Sequence, residues 1–481
     1  MIINNSNLDN KLYDVIIVGS GPAGITLANK LEEKKIKIAL LEAGGEDYSN
    51  ESQNYYKGEI EGEFPRETNV SRLRMFGGTT GHWGGSSRPL DSYDFKFWPI
   101  EKSNLDSYLE EAAKIIEVKN QFREMEFPNS KNLKIIEFQV SRVRFGNKYL
   151  KQIKRSNFID LFLNTNLTKI EGEEFSFKKV ICLFNNKKIQ ISGKYLVLAT
   201  GGIENSRILL LNEQNSKNLF ASNMPIGKFW YEHPFAKLGK SIINEKKINS
   251  YLRTDYNHFV NMYNTGDASI TYSISPTEKF INENKILNSC IWLVLHKRTN
   301  KGWKNLLKDL FCIAPNLSNN LLKLINREAA CGSTLYSSWE QEGEEKNKIV
   351  LSKLIKDING YQAPKIIYTK SNLVKKTAKL CLEEIGKYLA ENDIGRIRAN
   401  SFLFDDNEKF MSEAGWHHMG GTIMGEDPKK SVVDKNLKLF GSKNIYITGS
   451  SVFPSGGHAN PTITIIQLSL RLANHLAKLI V

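Results

Sequence analysis

Four residues near the N-terminus have the types and the spacing to bind the phosphates and the ribose of a dinucleotide. Gly19, Gly21 and Gly24 form a Gly-x-Gly-x-x-Gly pattern, and Glu42 follows 18 positions after Gly24. The first glycine permits a tight turn, the second lets the backbone approach a pyrophosphate, and the third lets a helix pack closely on a strand. A carboxylate at Glu42 can accept hydrogen bonds from the hydroxyls of an adenosine ribose. We therefore predict that this segment binds a dinucleotide.

The secondary structure needed to position these residues surrounds them. Residues 13–18 are a continuous, mostly β-branched run, typical of a buried parallel strand, and residues 25–31 have helical spacing. A second apolar run at residues 36–41 leads directly into Glu42. The N-terminus of the intervening helix favours phosphate, because it presents free N–H groups and the positive end of the helix dipole. The order of strand, glycine turn, helix, strand and acid predicts a Rossmann-type domain.

Two later segments predict further strands of the same domain. Residues 195–202 form a buried strand that ends in Ala-Thr-Gly, which is typical of a Rossmann domain that binds a flavin dinucleotide, and residues 444–450 indicate a strand and a turn. The fold class is therefore α/β, and the FAD-binding domain is discontinuous. Its predicted segments are 1–90, 150–235 and 405–481.

The rest of the chain is predicted to form a substrate-binding region from residues 91–149 and 236–404. Alternating polarity at residues 268–274 and the apolar run at 291–295 indicate strands, whereas residues 373–389 have helical spacing. This pattern predicts an antiparallel sheet flanked by helices. Residues 300–327 are interpreted as helix or loop.

The composition excludes several classes of protein. The chain has 481 residues, 41% hydrophobic and 25% charged, which is typical of a globular protein of two or three domains. Its five cysteines lie far apart without a Cys-x-x-Cys pair, so we predict neither a metal site nor a dithiol redox centre. The net charge of +14 comes from lysines spread along the chain without a nucleic-acid-binding motif, so we predict no nucleic-acid partner. The N-terminus does not resemble a signal peptide and no apolar run is long enough to span a membrane, which together predict a cytoplasmic location.

Three further motifs resemble those of the glucose-methanol-choline (GMC) oxidoreductases, which bind FAD and oxidise alcohols. They lie at residues 72–86, 201–210 and 416–473. Shorter similarities, at residues 98–100 and 232–234, extend the resemblance along most of the chain. The motifs are most similar to the sugar-oxidising branch, which includes pyranose oxidases and fructose dehydrogenases. The resemblance implies FAD as the cofactor and a small alcohol or carbohydrate as the substrate.

The resemblance also implies the catalytic residues. In the family, a histidine in the first C-terminal segment and a histidine or asparagine in the second lie at the flavin. His418 in His-Met-Gly-Gly-Thr matches the first, and Asn460 in Asn-Pro-Thr matches the second. Hydride removal from an alcohol requires a group that accepts the hydroxyl proton, and a histidine of near-neutral pKa suits that task. His458 remains a rival to Asn460, whereas His417 and His233 are interpreted as supporting side chains.

The remaining site predictions concern FAD. In pyranose oxidase, a histidine before a tryptophan in the matching loop is bonded covalently to the flavin, so His82 is either an attachment site or a side chain packed near the flavin ring. Where many members carry an aspartate, this chain has Thr448 before Gly449, which leaves that flavin contact to backbone N–H groups. The predicted cofactor-binding residues are Gly19, Gly21, Gly24, Glu42, Gly78, His82, Trp83, Gly84, Leu167, Thr200, Gly201, Gly449, Ser450, Asn460, Pro461 and Thr462.

We therefore predict the FAD-dependent oxidation of a sugar, polyol or other alcohol, with His418 as the base. A lyase of the same family and a non-catalytic flavoprotein remain as alternatives. A nicotinamide-linked disulfide reductase is disfavoured because the chain has neither a second glycine pattern nor paired cysteines. Oxygen, a quinone and an electron-transfer protein all remain open as the electron acceptor.

Overall fold

The computed structural model describes residues 11–65, 67–185, 187–215, 218–244, 247–252, 254–255, 270–295, 332–405, 408, 410 and 413–481. Its strands are β1 (Leu12–Val18), β2 (Ile38–Leu41), β3 (Glu59–Gly62), β4 (Ser86–Ser87), β5 (Glu124–Glu126), β6 (Leu133–Val140), β7 (Ile159–Phe162), β8 (Thr165–Glu173), β9 (Ser176–Phe184), β10 (Lys187–Leu198), β11 (Pro234–Ile243), β12 (Thr254–Asp255), β13 (Ile270–Pro276), β14 (Ser289–Leu295), β15 (Ser333–Trp339), β16 (Lys348–Lys356), β17 (Gln362–Tyr368), β18 (Gly395–Ala399), β19 (Glu413–Ala414) and β20 (Ile445–Ile447). Its α-helices are α1 (Pro22–Glu32), α2 (Asn50–Asn54), α3 (Ser103–Asp106), α4 (Leu109–Ile115), α5 (Phe145–Arg155), α6 (Gly201–Asn215), α7 (Glu278–Asn284), α8 (Asn372–Glu391) and α9 (Thr462–Ile480).

The first sheet has a parallel centre in the order β7-β2-β1-β10-β20. Side chains of β1 and β2 are almost all buried, as expected for parallel strands that are covered on both faces. The first half of β10 pairs instead with β9 in an antiparallel arm that also includes β8. Helix α1 packs against α9, which brings the C-terminal helix onto the nucleotide-binding fingerprint. These features confirm the predicted α/β fold with a Rossmann-type domain.

The second sheet runs in the order β18-β11-β15-β14-β13-β6-β4, and these neighbours pair antiparallel. The long helix α8 packs its apolar face against this sheet in a separate hydrophobic core. The predicted antiparallel sheet with a flanking helix is therefore confirmed. A third, small sheet is formed by β16, β17 and β3.

The two large regions share strands at their border. β4, β19 and the start of β11 belong to the second sheet, although their residues lie within the ranges predicted for the FAD-binding domain. The predicted strand at residues 268–274 begins at Ile270, and the predicted segment 300–327 lies outside the described residues. No helix in the described part of the chain is both long and apolar enough to cross a membrane.

The parallel strands of the first sheet bring distant segments to one edge. Because their carboxyl ends meet there, the residues that follow β1, β2, β10 and β20 become neighbours. They are Gly19, Glu42, Thr200 and Gly449. Such an edge is where open α/β sheets bind their ligands.

Candidate active site

A cavity of about 810 Å³ lies at this edge and is lined by residues of both large sheets. Its volume is within the range of small-molecule and cofactor sites, roughly 300–1,000 Å³. All of the predicted cofactor-binding residues except Gly24 line it, and so does His418. The second sheet contributes Phe235, Trp292 and Ser338 to the wall. The fold therefore brings together residues that are far apart in the sequence.

The glycines of the fingerprint divide into two roles. A Cβ atom on Gly24 would lie 1.9 Å from the carbonyl oxygen of Gly19, so Gly24 lies behind the cavity wall and serves the packing of α1 on β1. Gly19 has a φ of +103°, and a Cβ atom there would lie 2.5 Å from the carbonyl oxygen of Ala199. By contrast, no atom lies within 4 Å of a Cβ atom built on Gly21. Gly21 is thus open to the cavity, whereas Gly19 and Gly24 are required by the protein itself.

Glu42 is held rigidly at the end of β2. Its Oε2 accepts hydrogen bonds from the backbone N–H (3.2 Å) and the hydroxyl (2.7 Å) of Ser20, and its Oε1 accepts one from Gly44 N (2.7 Å). A carboxylate has about four acceptor positions, so Glu42 retains capacity for a ligand hydroxyl. The side chain also fixes the turn after β1 relative to β2.

Asn205 joins two strand ends at the cavity. Its Oδ1 accepts hydrogen bonds from the backbone N–H (2.9 Å) and hydroxyl (2.6 Å) of Thr200, and its Nδ2 donates to Thr448 O (3.2 Å) and Ser451 Oγ (2.9 Å). Asn205 lies in the motif at residues 201–210, but the motif alone does not predict this role. Asn205 fixes the spacing between the segments that follow β10 and β20.

A buried ion-pair network holds the loop that begins at Arg72. Arg72 Nη1 lies 2.9 Å from Glu204 Oε1, and Arg207 binds both Glu204 (3.2 Å) and Asp357 (2.5 Å). Arg72 also lies over the ring of Tyr56, 3.8 Å from its centroid. All five residues line the cavity, so the network connects the 72–86 loop, α6 and the β16–β17 turn around it. This network was not foreseen from the sequence.

His418 lies at the cavity wall and packs against two aromatic rings, which also contact each other. The ring centroids of Phe64 and Trp230 are 5.9 and 5.8 Å from that of the imidazole. Its Nε2 is buried and makes no hydrogen bond within the described residues. Burial lowers the pKa of His418 to about 3, and the neighbouring Arg72 and His417 contribute in the same direction. The expectation of a near-neutral pKa is therefore corrected: His418 is a neutral imidazole across the physiological range.

The backbone of His418 is fixed from three sides. Ser450 Oγ donates a hydrogen bond to His418 O (2.6 Å), and the next residue, Met419, exchanges two backbone hydrogen bonds of 2.9 Å with Tyr231. A Cβ atom on Gly202 would lie only 2.3 Å from His418 O, so the start of α6 packs directly against this carbonyl. The predicted cofactor contact Ser450 thus also positions the predicted base.

The structure separates Asn460 from its rival His458. Asn460 lines the cavity, and its side chain makes no hydrogen bond to the described part of the protein. His458 is only 1% exposed and lies behind the wall, with its Nδ1 4.0 Å from Asp91 Oδ2. Of the two residues, Asn460 is therefore the one that borders the cavity.

His417 and His233 form a pair beside His418. Their Nδ1 atoms are 3.0 Å apart, with ring centroids 5.0 Å apart and the rings nearly perpendicular at 87°. His417 lines the cavity, whereas His233 is fully buried behind it. Burial lowers the pKa of His417 to about 4 and that of His233 well below its ordinary value. Both rings are therefore neutral at pH 7.

The residues present fit FAD. The open backbone at Gly21 lies at the N-terminus of α1, where a pyrophosphate is favoured. Gly201 and Gly449 likewise have no atom within 4 Å of a Cβ position, so three backbone segments open onto the cavity. Trp83 also lines the cavity and is fixed by its Nε1, which donates to Val143 O (2.8 Å). His82 is exposed on the same loop and borders the cavity.

Comparisons with known proteins find similar sequences and similar folds. A family model described as GMC oxidoreductase matches residues 344–469. A model described as pyridine nucleotide-disulphide oxidoreductase matches residues 13–224, and Cys182 in that range is a free, buried thiol. The chain is 24% identical to the fructose dehydrogenase large subunit of Gluconobacter japonicus, over 96% of this chain and 97% of that protein.

A shorter match and two solved structures extend these similarities. The chain is 43% identical over 53 residues to the gluconate 2-dehydrogenase flavoprotein of Pantoea cypripedii, which is 11% of this chain and 9% of that protein. A variant of the formate oxidase of Aspergillus oryzae RIB40 shares the fold, with a TM-score of 0.59, 13% identity and coverage of 97% and 98% of the two chains. Pyridoxine 4-oxidase from Mesorbium loti does so with a TM-score of 0.54, 15% identity and coverage of 96% and 99%. Through residues 344–469 the chain is similar to the GMC oxidoreductases, and it is an FAD-dependent enzyme that acts on the CH–OH group of donors.

Proposed function

We propose that this enzyme oxidises a hydroxyl group of a sugar or polyol to a carbonyl group, with His418 as the base and Asn460 as the residue that orients the substrate oxygen. The observation that carries the proposal is the neutral, unpartnered imidazole of His418 at the wall of the cavity that Asn460 also lines. The similarity to a fructose dehydrogenase subunit along nearly the whole chain supports the choice of a carbohydrate-like donor.

The side chains at the cavity divide the work of the reaction. FAD, when bound, supplies the acceptor for the hydride. The neutral imidazole of His418 accepts the hydroxyl proton as the C–H bond is broken. Asn460 donates its amide N–H to the same oxygen and cannot compete for the proton. Trp292 and Phe235 line the wall with apolar surface, which excludes water and strengthens these polar contacts.

The lowered pKa of His418 predicts a flat acid side of the pH profile. For a base with a pKa of ~6.5, the neutral fraction would fall by roughly 25-fold between pH 7 and pH 5. With a pKa of about 3, His418 stays deprotonated over this interval and loses a proton-accepting form only as the pH falls towards that value. We expect the rate of flavin reduction to change less than ~3-fold between pH 7 and pH 5.

The measurement is anaerobic rapid mixing with donor in buffers of matched ionic strength, with far-UV circular dichroism to verify that the protein is folded at each pH. An acid limb with a midpoint near pH 6.5, in protein that is still folded and still holds FAD, would contradict the burial argument for His418.

The proposed function is tested by anaerobic visible spectroscopy of the purified holoenzyme with a panel of sugars, polyols and simple alcohols. We expect sugars or polyols to bleach the flavin absorbance at ~450 nm. Bleaching by simple alcohols alone would replace the substrate class, and a flavin that no donor bleaches would favour the lyase or the non-catalytic flavoprotein.

Readmission of air then identifies the class of electron acceptor. Rapid return of the absorbance indicates an oxidase, whereas slow return indicates a dehydrogenase that passes electrons to a quinone or to a protein. Because the fructose dehydrogenase relative is named as a large subunit, an electron-transfer protein is the acceptor to test next if the return is slow.

A further inference from the structure

We propose that His417, held by His233, accepts a hydrogen bond from a second hydroxyl group of the substrate, so that the enzyme selects donors with more than one hydroxyl over simple alcohols. This inference rests on the proposed function and names the substrate feature that the site recognises. His417 is the residue next to the predicted base, and the sequence alone predicts only a supporting role for it.

The two ring nitrogens of His417 differ in whether the protein already engages them. Nδ1 of His417 lies 3.0 Å from Nδ1 of His233 and is therefore engaged. The ring also lines the cavity, and no hydrogen bond joins its Nε2 to the described residues. Nε2 is consequently the nitrogen that a bound molecule can reach. His418, the next residue, also lines this cavity.

The tautomers of His417 and His233 determine which ring nitrogens can accept a hydrogen bond. Two neutral imidazoles that meet through Nδ1 atoms must share one proton, so one ring donates and the other accepts. Nε2 of His233 is buried and makes no hydrogen bond within the described part of the chain, and the nearby backbone of Gly456 and Gly457 favours the protonated form of this ring. In the proposed arrangement, Nδ1 of His417 carries the shared proton and Nδ1 of His233 accepts it across the 3.0 Å contact. His417 then donates from Nδ1 and carries a lone pair on Nε2 towards the cavity.

The ring of His417 must be held rigidly, because a ring that reorients freely cannot discriminate between substrates that differ in their hydroxyl groups. Two hydrogen bonds join the segment before His417 to the segment around His233. Gly415 N donates to His233 O (2.9 Å), and Trp416 N donates to Glu232 Oε2 (3.1 Å). Trp416 adopts a φ of +59°, which is rare for a bulky residue. Such a backbone conformation persists only when the surrounding structure holds it in place. His417 is therefore held in place before any ligand binds.

The rest of this wall suits a polyhydroxy molecule. Phe235 and Trp292 present aromatic surface, and Ser338 lies beside them on the neighbouring strand β15. The ring of Phe235 stacks on that of Tyr336, with centroids 5.9 Å apart and planes 12° apart, which fixes it in the wall. Aromatic surface next to an imidazole acceptor matches the mixture of C–H and O–H groups on a sugar or polyol.

The kinetic test compares a polyol that the enzyme oxidises with its analogue that lacks one hydroxyl, in the wild-type holoenzyme and in three variants. His417→Phe removes both nitrogens, His417→Asn keeps a polar group near the Nδ1 position only, and His417→Gln places one near the Nε2 position. We expect His417→Phe and His417→Asn to lower the ratio of kcat/KM for the polyol to that for the analogue by about 10- to 100-fold, mainly through KM. His417→Gln should restore part of that ratio.

His233 is a positioning residue in this account, and it has its own readout. In protein labelled with ¹⁵N-histidine, the chemical shift of His417 Nε2 should report an unprotonated nitrogen in the wild type, and His233→Phe should change the tautomer. A protonated Nε2 in the wild type would overturn the proposal. This measurement needs no substrate, so it remains decisive even if every donor fails to bleach the flavin and the proposed function falls.

The two failures are therefore distinguishable. One outcome is that polyols reduce the flavin while the ratio of the two kcat/KM values is the same in wild type, His417→Phe and His417→Asn. In that case His417 does not bind the second hydroxyl, and the inference is wrong. If His417→Phe does not fold, His417→Asn supplies the comparison, because it retains a polar contact to His233.

Discussion

Replacement of His418 by asparagine is expected to slow the reduction of the flavin by ~10²- to 10⁴-fold, the usual contribution of a general base. The imidazole is the only proton acceptor that the proposed mechanism assigns to the hydroxyl, and asparagine cannot take up a proton at neutral pH. FAD should remain bound, because the interactions of Ser450 and Gly202 at this position involve the backbone carbonyl of residue 418, which the substitution retains. The rate is measured under anaerobic conditions by rapid mixing with a saturating donor.

His475→Asn is a matched control, because this histidine lies on α9, where its ring packs near that of Tyr446, and it does not border the cavity. The control variant should reduce its flavin at a rate close to that of the wild type. A His418→Asn variant that holds FAD and is reduced within tenfold of the wild-type rate would contradict the role of His418 and return attention to the other histidines.

The nucleotide-binding half of the site could be predicted because its signals are local. Gly19, Gly21, Gly24 and Glu42 lie within one strand–helix–strand unit, in which the positions of the residues follow from the order of the elements. The sequence pattern therefore determined which glycines surround the turn and which strand ends in the acid. The structure then showed that Gly24 lies behind the cavity wall, where its packing role places it.

The substrate half depends on contacts between distant parts of the chain, and local patterns do not encode these. His233 and His417 are 184 positions apart, and Arg207 and Asp357 are 150 apart. The pKa of His418 could not be foreseen for the same reason, because it is set mainly by burial between elements that are remote in sequence. The choice between His458 and Asn460 was open in the sequence because the two lie only two positions apart and only the folded loop shows which one faces the cavity.

Replacement of Gly21 by valine is expected to weaken FAD binding by at least ~100-fold while the protein without FAD still folds. Gly21 has φ −75° and ψ −172°, an extended conformation that valine adopts readily, and no atom lies within 4 Å of the added Cβ. The protein alone therefore has room for the first carbon of the side chain, at a position that lines the cavity. The pyrophosphate does not, because the backbone N–H groups at the start of α1 must approach it closely to donate their hydrogen bonds.

The comparison with Gly24→Ala separates an effect on FAD binding from an effect on the stability of the fold. A Cβ atom on Gly24 would lie 1.9 Å from the carbonyl oxygen of Gly19, a backbone atom, so α1 must move away from β1 and the protein should lose stability even without FAD. Thermal unfolding of the FAD-free proteins, followed by circular dichroism, should give a lower Tm for Gly24→Ala and a nearly unchanged Tm for Gly21→Val. Titration with FAD, followed by its fluorescence, should show the opposite order, with the larger loss of FAD affinity in Gly21→Val. If Gly21→Val binds FAD as tightly as the wild type, the pyrophosphate does not lie against Gly21, and the assignment of this turn as the phosphate site is wrong.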